Sequence, residues 1–178
     1  MRLKSIHIIS LLLLLTGCTN KQEATEVKSY FDLSGFFSSE SASLQNKHAT
    51  VIKTVLQNGR AEQKTIGNIN WETEFELFSS SDINKPAWNK SYRVLHTAHG
   101  TEYIALDNKL RTRRIRIEKA QRGKAKHIYI RNEVNNMLYS TTEELHYYPD
   151  SLYEIRKTQH VIILGNNTYK ISGLLKNK

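Results

Sequence analysis

One cysteine, two prolines and eight glycines in 178 residues leave few chemical and conformational options open. The single cysteine, Cys18, forms no internal disulfide and supplies no thiolate cluster for a metal. So little proline permits long uninterrupted strands. Catalytic signatures are missing as well: no G-x-S-x-G elbow, no glycine-rich phosphate loop and no H-E-x-x-H helix occurs. His96 and His99 stand three apart with no carboxylate cluster beside them, a spacing that shares a face on a helix but splits across a strand. His127, His146 and His160 add scattered imidazoles, and Glu143, Glu144 and His146 make only a loose acid–imidazole group. A non-catalytic chain with no metal and no cofactor is therefore expected. Long apolar runs are equally scarce.

The one at the start, Ile6 to Leu15, is too short to cross a hydrocarbon core of roughly 30 Å as a permanent helix. It follows the basic Met1-Arg2-Leu3-Lys4 and suits the apolar region of a signal peptide. It ends Leu15-Thr16-Gly17-Cys18, a tetrapeptide that resembles the lipobox of bacterial lipoproteins. The resemblance implies diacylglyceryl transfer to the Cys18 thiol, cleavage before Cys18, and often a further acyl chain on the new amino group. The expected organisation is a signal peptide over 1–17, a lipidated tether over 18–27 and a single α+β domain over 28–178. At about 0.8 kcal/mol per buried CH₂, two or three acyl chains hold a protein firmly on a bilayer. Thr19 is not the aspartate that retains such proteins in the inner membrane of enteric bacteria, and Thr19–Glu23 lacks a dense acidic cluster. The analogy places the protein in the cell envelope, at the outer membrane and facing the periplasm.

What is plentiful is positive charge. The whole chain carries +9, and about +7 remains without Arg2 and Lys4. In the periplasm the counterparts are anionic lipid headgroups, phosphates or an acidic protein partner, and nucleic acid is not expected. Between Lys109 and Arg131 ten cations face one acid, Glu118. Alternation sets Ile115 and Ile117 against Arg114 and Arg116, and Ile128 and Ile130 against Tyr129 and Arg131. One hairpin thus carries a basic face made of Arg111, Arg113, Arg114, Arg116, Arg122, Lys124, Lys126 and Arg131. That face is either a docking patch or a solvated surface neutralised by acids from elsewhere.

Apolar periodicity supplies the fold. Tyr30 to Leu44 recurs at helical spacing, as one helix or as two broken near Ser34-Gly35. Asn58-Gly59 between Thr50–Gln57 and Arg60–Ile66 predicts a type I′ hairpin. Asn70 caps a second predicted helix that puts Trp71, Phe75 and Phe78 on one face and stops before Pro86. From Tyr92 to Leu175 two-fold alternation and regular turn signals, the last at Gly165–Asn167, predict an antiparallel meander of six to eight strands. The expected fold is α+β: a curved antiparallel meander of about eight or nine strands, hairpin included, covered by two helices from the N-terminal half.

The stretch from Ile69-Asn70-Trp71-Glu72 through Asp82–Trp88 to Ser91-Tyr92 resembles small uncharacterised lipoproteins of Bacteroidota, a likeness that supports lineage and localisation but supplies no chemistry. At fold level the arrangement looks like the half-barrels of lipoprotein carriers and receptors. Two roles follow as expectations. One is a non-catalytic binding module, with Phe37, Trp71, Phe75 and Phe78 lining a concave face for a lipid or other apolar ligand. The other is a scaffold or accessory subunit that docks an envelope protein complex or an anionic surface through the basic hairpin 109–131.

Overall fold

The computed structural model describes residues 29–120 and 123–176. Its centre is one nine-stranded antiparallel sheet. Helix α1 (Leu33–Asn46) precedes the hairpin of β1 (Thr50–Gln57) and β2 (Arg60–Ile66). Two single-turn helices follow, α2 (Trp71–Glu74) and α3 (Glu76–Ser79), then a 3₁₀ turn at Pro86–Trp88. The rest is strand: β3 (Tyr92–Thr97), β4 (Gly100–Ala105), β5 (Thr112–Lys119), β6 (Ala125–Asn135), β7 (Tyr139–Tyr148), β8 (Leu152–Val161) and β9 (Gly165–Lys176). The order β2-β1-β9-β8-β7-β6-β5-β4-β3 makes the C-terminal seven strands an unbroken meander, with the first hairpin added beside β9. The chain therefore crosses from one sheet edge to the other between β2 and β3, and α2 and α3 lie in that crossing. The α+β class, strand number and helical cover agree with the sequence expectation.

Local chemistry accounts for the elements. Asp32 caps α1 by accepting the Gly35 N–H at 2.8 Å, so the helix starts at Leu33 rather than Tyr30. Leu33, Phe37, Ser41 and Leu44 recur along its buried side. The helix ends with His48 in the left-handed region (φ 47°): the His48 N–H donates to Gln45 and the Ala49 N–H to Leu44, which closes a Schellman motif. Asn58 and Gly59 both take positive φ (46° and 86°), as a type I′ turn requires. Asn70 caps α2 through the Thr73 N–H at 3.1 Å. The predicted second helix is divided at Phe75, whose φ of −98° turns the chain; Trp71, Phe75 and Phe78 nevertheless share the buried side.

The core lies between these helices and one face of the sheet. Ile115, Ile117, Ile128, Ile130, Leu145, Tyr147 and Tyr153 point into it from adjacent strands. All sit at alternate positions, so the isoleucine alternation of β5 and β6 predicts the buried face correctly.

Candidate functional site

The four aromatic side chains expected to line a cavity are brought together, and they fill the space they enclose. Phe37 of α1 meets Phe78 at 4.9 Å and Phe75 at 5.4 Å between ring centroids, and Tyr147 of β7 at 5.1 Å. Trp71 packs on Phe75 at 5.7 Å, and Phe75 stands edge-on to Tyr153 at 5.8 Å. Phe37, Trp71, Phe75 and Phe78 are all buried. Such offset and edge contacts add about 0.5–1.5 kcal/mol per pair beyond burial. The polar ends of the tyrosines tie the helices down. Tyr147 O–H donates to Glu40 at 2.5 Å, and Tyr153 O–H donates to Glu74, which also accepts the Lys53 ammonium at 2.7 Å. Burial pushes both phenols well above the usual tyrosine range.

The space left beside the rings is open and largely polar. A groove of about 490 Å³ runs between α1 and the start of α2, lined by Ser41, Gln45, Asn70, Glu72 and one side of Trp71. A smaller one of about 160 Å³ adjoins it, where Phe37 and Phe75 share the lining with Ser34, Ser38, Ser41, Glu72 and Ser79. The larger is lined mainly by polar groups, and the smaller lies well below the roughly 300 Å³ at which ligand pockets begin.

The basic segment is neutralised along most of its length. Arg114 and Arg116 both reach Glu102 of β4, at 3.4 and 3.2 Å. Arg131 pairs with Glu133 at 2.7 Å and Glu144 at 3.5 Å, and Arg113 approaches Glu133 at 3.5 Å. Arg111 binds Glu143 at 2.9 Å, on a carboxylate that Lys157 also reaches at 3.3 Å. A register shift between Thr112 and Arg114 separates Arg111 from the two arginines that reach Glu102. Half-exposed pairs of this kind stabilise by about 0–1 kcal/mol each, but they cancel the local field. Among the described residues of the segment the exposed cations that remain are Lys109 before β5 and Lys119, Lys124 and Lys126 around the β5–β6 turn; Arg122 lies outside the described residues.

Beside them on the outer face lies a histidine pair. His127 Nε2 and His146 Nδ1 are 3.1 Å apart, His127 stacks on Tyr148 at 4.3 Å, and Glu118 approaches its other nitrogen at 3.6 Å. Burial, and secondarily the charge of His127, hold His146 below the usual imidazole range. The H-x-x-H pair is separated: His96 lies on β3 within 3.3 Å of the Thr101 hydroxyl, and His99 in the turn that follows. Among the described residues no three histidine, cysteine or acidic side chains converge as metal ligands.

Sequence reasoning missed the most exposed apolar feature among the described residues. The β8–β9 turn falls on Ile162–Leu164, not on Gly165–Asn167, and the β6–β7 turn carries Met137 and Leu138. Exposure is 89% at Met137, 72% at Leu138, 67% at Ile162, 91% at Ile163 and 76% at Leu164. The Ile162 N–H donates to the Leu138 carbonyl at 3.3 Å, so the two turns form one surface. A signal was present: neither Val134–Thr142 nor Thr158–Tyr169 contains a formal charge.

No protein-family model, curated protein or solved structure matches this chain. The functional reading therefore rests on the site's own geometry and on the lipobox-like residues. Cys18 and the segments over 1–17 and 18–27 lie outside the described residues.

Proposed function

We propose that this protein is a membrane-anchored, non-catalytic binding module of the bacterial cell envelope, and that it works through its outer surface as a scaffold. The observation that carries the reading is the filled space between helices and sheet. A carrier of an acyl chain needs apolar room, and here Phe37, Trp71, Phe75 and Phe78 occupy it together with Tyr147 and Tyr153. Binding is then left to the exterior. The lipobox-like Leu15-Thr16-Gly17-Cys18 supports a lipid anchor, and Thr19 supports the outer membrane, periplasmic side. Docking on an acidic partner or anionic surface is assigned to Lys119, Lys124 and Lys126, the exposed cations at the tip of the basic hairpin.

Two measurements test this. Labelled palmitate is expected on the full-length protein and not on Cys18→Ala; label that survives the substitution removes the anchor. Detergent-solubilised protein should bind a polyanion matrix and elute at clearly lower salt when Lys119, Lys124 and Lys126 are all changed to Glu. An unchanged elution point removes the docking role from this turn.

A further inference from the structure

The paired turns at the other end of the sheet have no role in the reading above. Strand parity places the β1–β2, β4–β5, β6–β7 and β8–β9 connections at one end and the lysine-bearing β5–β6 turn at the opposite end. An eleven-residue strand such as β6 puts about 35 Å between those ends. The molecule thus has one cationic end and one apolar end.

Three observations describe what the apolar end fits. First, it is built of side chains that suit hydrocarbon: Met137, Leu138, Ile162, Ile163 and Leu164 project together, and Tyr139 stands just behind them. An exposed cluster of this size on a protein rich in charge marks an interaction surface. Secondly, four of its backbone N–H groups are already satisfied within the two turns. Asn136 Oδ1 accepts the Leu138 and Tyr139 N–H groups at 2.9 and 3.0 Å, the Ile162 N–H goes to Leu138, and the Leu164 N–H goes to Val161. Leaving water therefore strands few polar groups. The residues nearest the tips carry no formal charge, and the first charges back from them are all paired: Glu133 with Arg131 and Arg113, Glu143 with Lys157 and Arg111, and Lys170 with Glu154.

Thirdly, the chain joins the domain at this same end. Tyr30 is held at the β3 start, where its N–H donates to Asn84 at 2.9 Å and its hydroxyl to the Trp88 carbonyl at 3.0 Å. Leu106, 64% exposed, donates its N–H to Ser91 beside that point. Lys85, stacked on Trp88 at 4.2 Å, and the exposed Lys90 and Lys109 surround it with cations. The eleven Cα–Cα steps from Cys18 to Ser29 reach at most about 40 Å, so a lipid at Cys18 tethers the domain from this end.

We propose that the paired β6–β7 and β8–β9 turns are a membrane foot: they insert Met137, Leu138, Ile162, Ile163 and Leu164 into the headgroup–acyl boundary of the bilayer that carries the anchor. Tyr139 then sits at headgroup depth, the nearby lysines meet lipid phosphates, and the β5–β6 turn is held away from the membrane. The foot rests on the proposed anchor for its orientation, not for its insertion.

The test uses full-length acylated protein in vesicles of phosphatidylethanolamine and phosphatidylglycerol, with an environment-sensitive fluorophore on Ile163→Cys or, for comparison, Lys126→Cys. Acylation blocks Cys18, so each variant takes one label. Both substitutions are at exposed positions and leave the core untouched. Nitroxides on the lipid chains are expected to quench the probe at 163 several-fold more than the probe at 126. Equal, weak quenching at both overturns the foot. So does a probe at 163 that leaves water only when envelope protein is added, because the occupant is then a protein groove. If Cys18 itself takes label and the protein fails to float with vesicles, the anchor is lost; quenching at 163 in excess vesicles still upholds the foot.

Discussion

Tyr153 lies over the bare backbone of Gly173, its antiparallel partner on β9, and a methyl group at 173 would fall inside the phenol ring. The glycine is there to let a buried ring cross the strand. The same ring meets Phe75 and donates its hydroxyl to Glu74, so its position fixes α2 as well as the sheet. Gly173→Ala should displace Tyr153 and destabilise the fold by about 1–3 kcal/mol, the usual cost of overpacking. Thermal melting should show a loss of several degrees. An unchanged midpoint means the ring does not occupy that place.

His48 ends α1 in the left-handed region, where a β-carbon costs about 1–2 kcal/mol. Because glycine has no such penalty but loses more chain entropy, His48→Gly should stabilise by about 0.5–1 kcal/mol. Equilibrium urea unfolding measures the difference. Destabilisation would show that the imidazole makes a contact worth more than the strain.

The histidine pair makes stability sensitive to mild acid. His146 has a folded pKa below its ordinary value of 6.5, through burial first and the neighbouring His127 second. The unfolded chain therefore takes up a proton more readily than the native one. Stability from this group is complete above about pH 6.5 and falls as pH drops below that, down to the depressed folded value. Glu154 and Glu144 offset part of the effect, and Arg156 adds to it. Unfolding free energy followed from pH 7.5 to 5 should decline, and less steeply in His146→Gln. Identical slopes would mean that the imidazole is not held neutral.

Alkaline pH gives the opposite sign. Burial raises the phenols of Tyr92, Tyr147 and Tyr153 far above their ordinary 10. Their contribution to stability is complete below about pH 10 and is lost as pH rises further, because only the unfolded chain ionises there. Ultraviolet titration of the native protein should leave these three silent until it unfolds. A smooth titration of all nine tyrosines would place the rings in water.

The parts of this fold that were legible in the sequence are those governed by local rules. Asn58-Gly59 dictates its turn, Asn70 its cap, and the alternation of Ile115, Ile117, Ile128 and Ile130 the buried face. Tertiary effects hid the rest. A helical spacing that includes Tyr30 and Phe31 is stopped by Asp32, whose carboxylate takes up the Gly35 N–H while Asp82 takes up that of Ser34. The helix over Trp71–Phe78 bends at Phe75, where burying three rings on one curved face outweighs helix continuity. The arginine-rich hairpin looks like a field of positive charge until pairing sets Glu133 of its own strand β6, Glu102 of β4 and Glu143 and Glu144 of β7 beside the arginines. The apolar turns were overlooked because isoleucine and leucine normally belong to strands, and Gly165-Asn166-Asn167 offers a stronger turn signal three residues later.

The claim on which the functional reading depends is that the space between helices and sheet is filled by the protein's own side chains. Native mass spectrometry of gently purified protein measures this most directly. A packed interior gives the mass of the acylated chain alone, with no further lipid at a fixed ratio. A stoichiometric adduct of lipid mass, released only on denaturation and lost in Phe37→Trp, would show that α1 lifts from the sheet to admit a ligand, and the protein would then be a carrier.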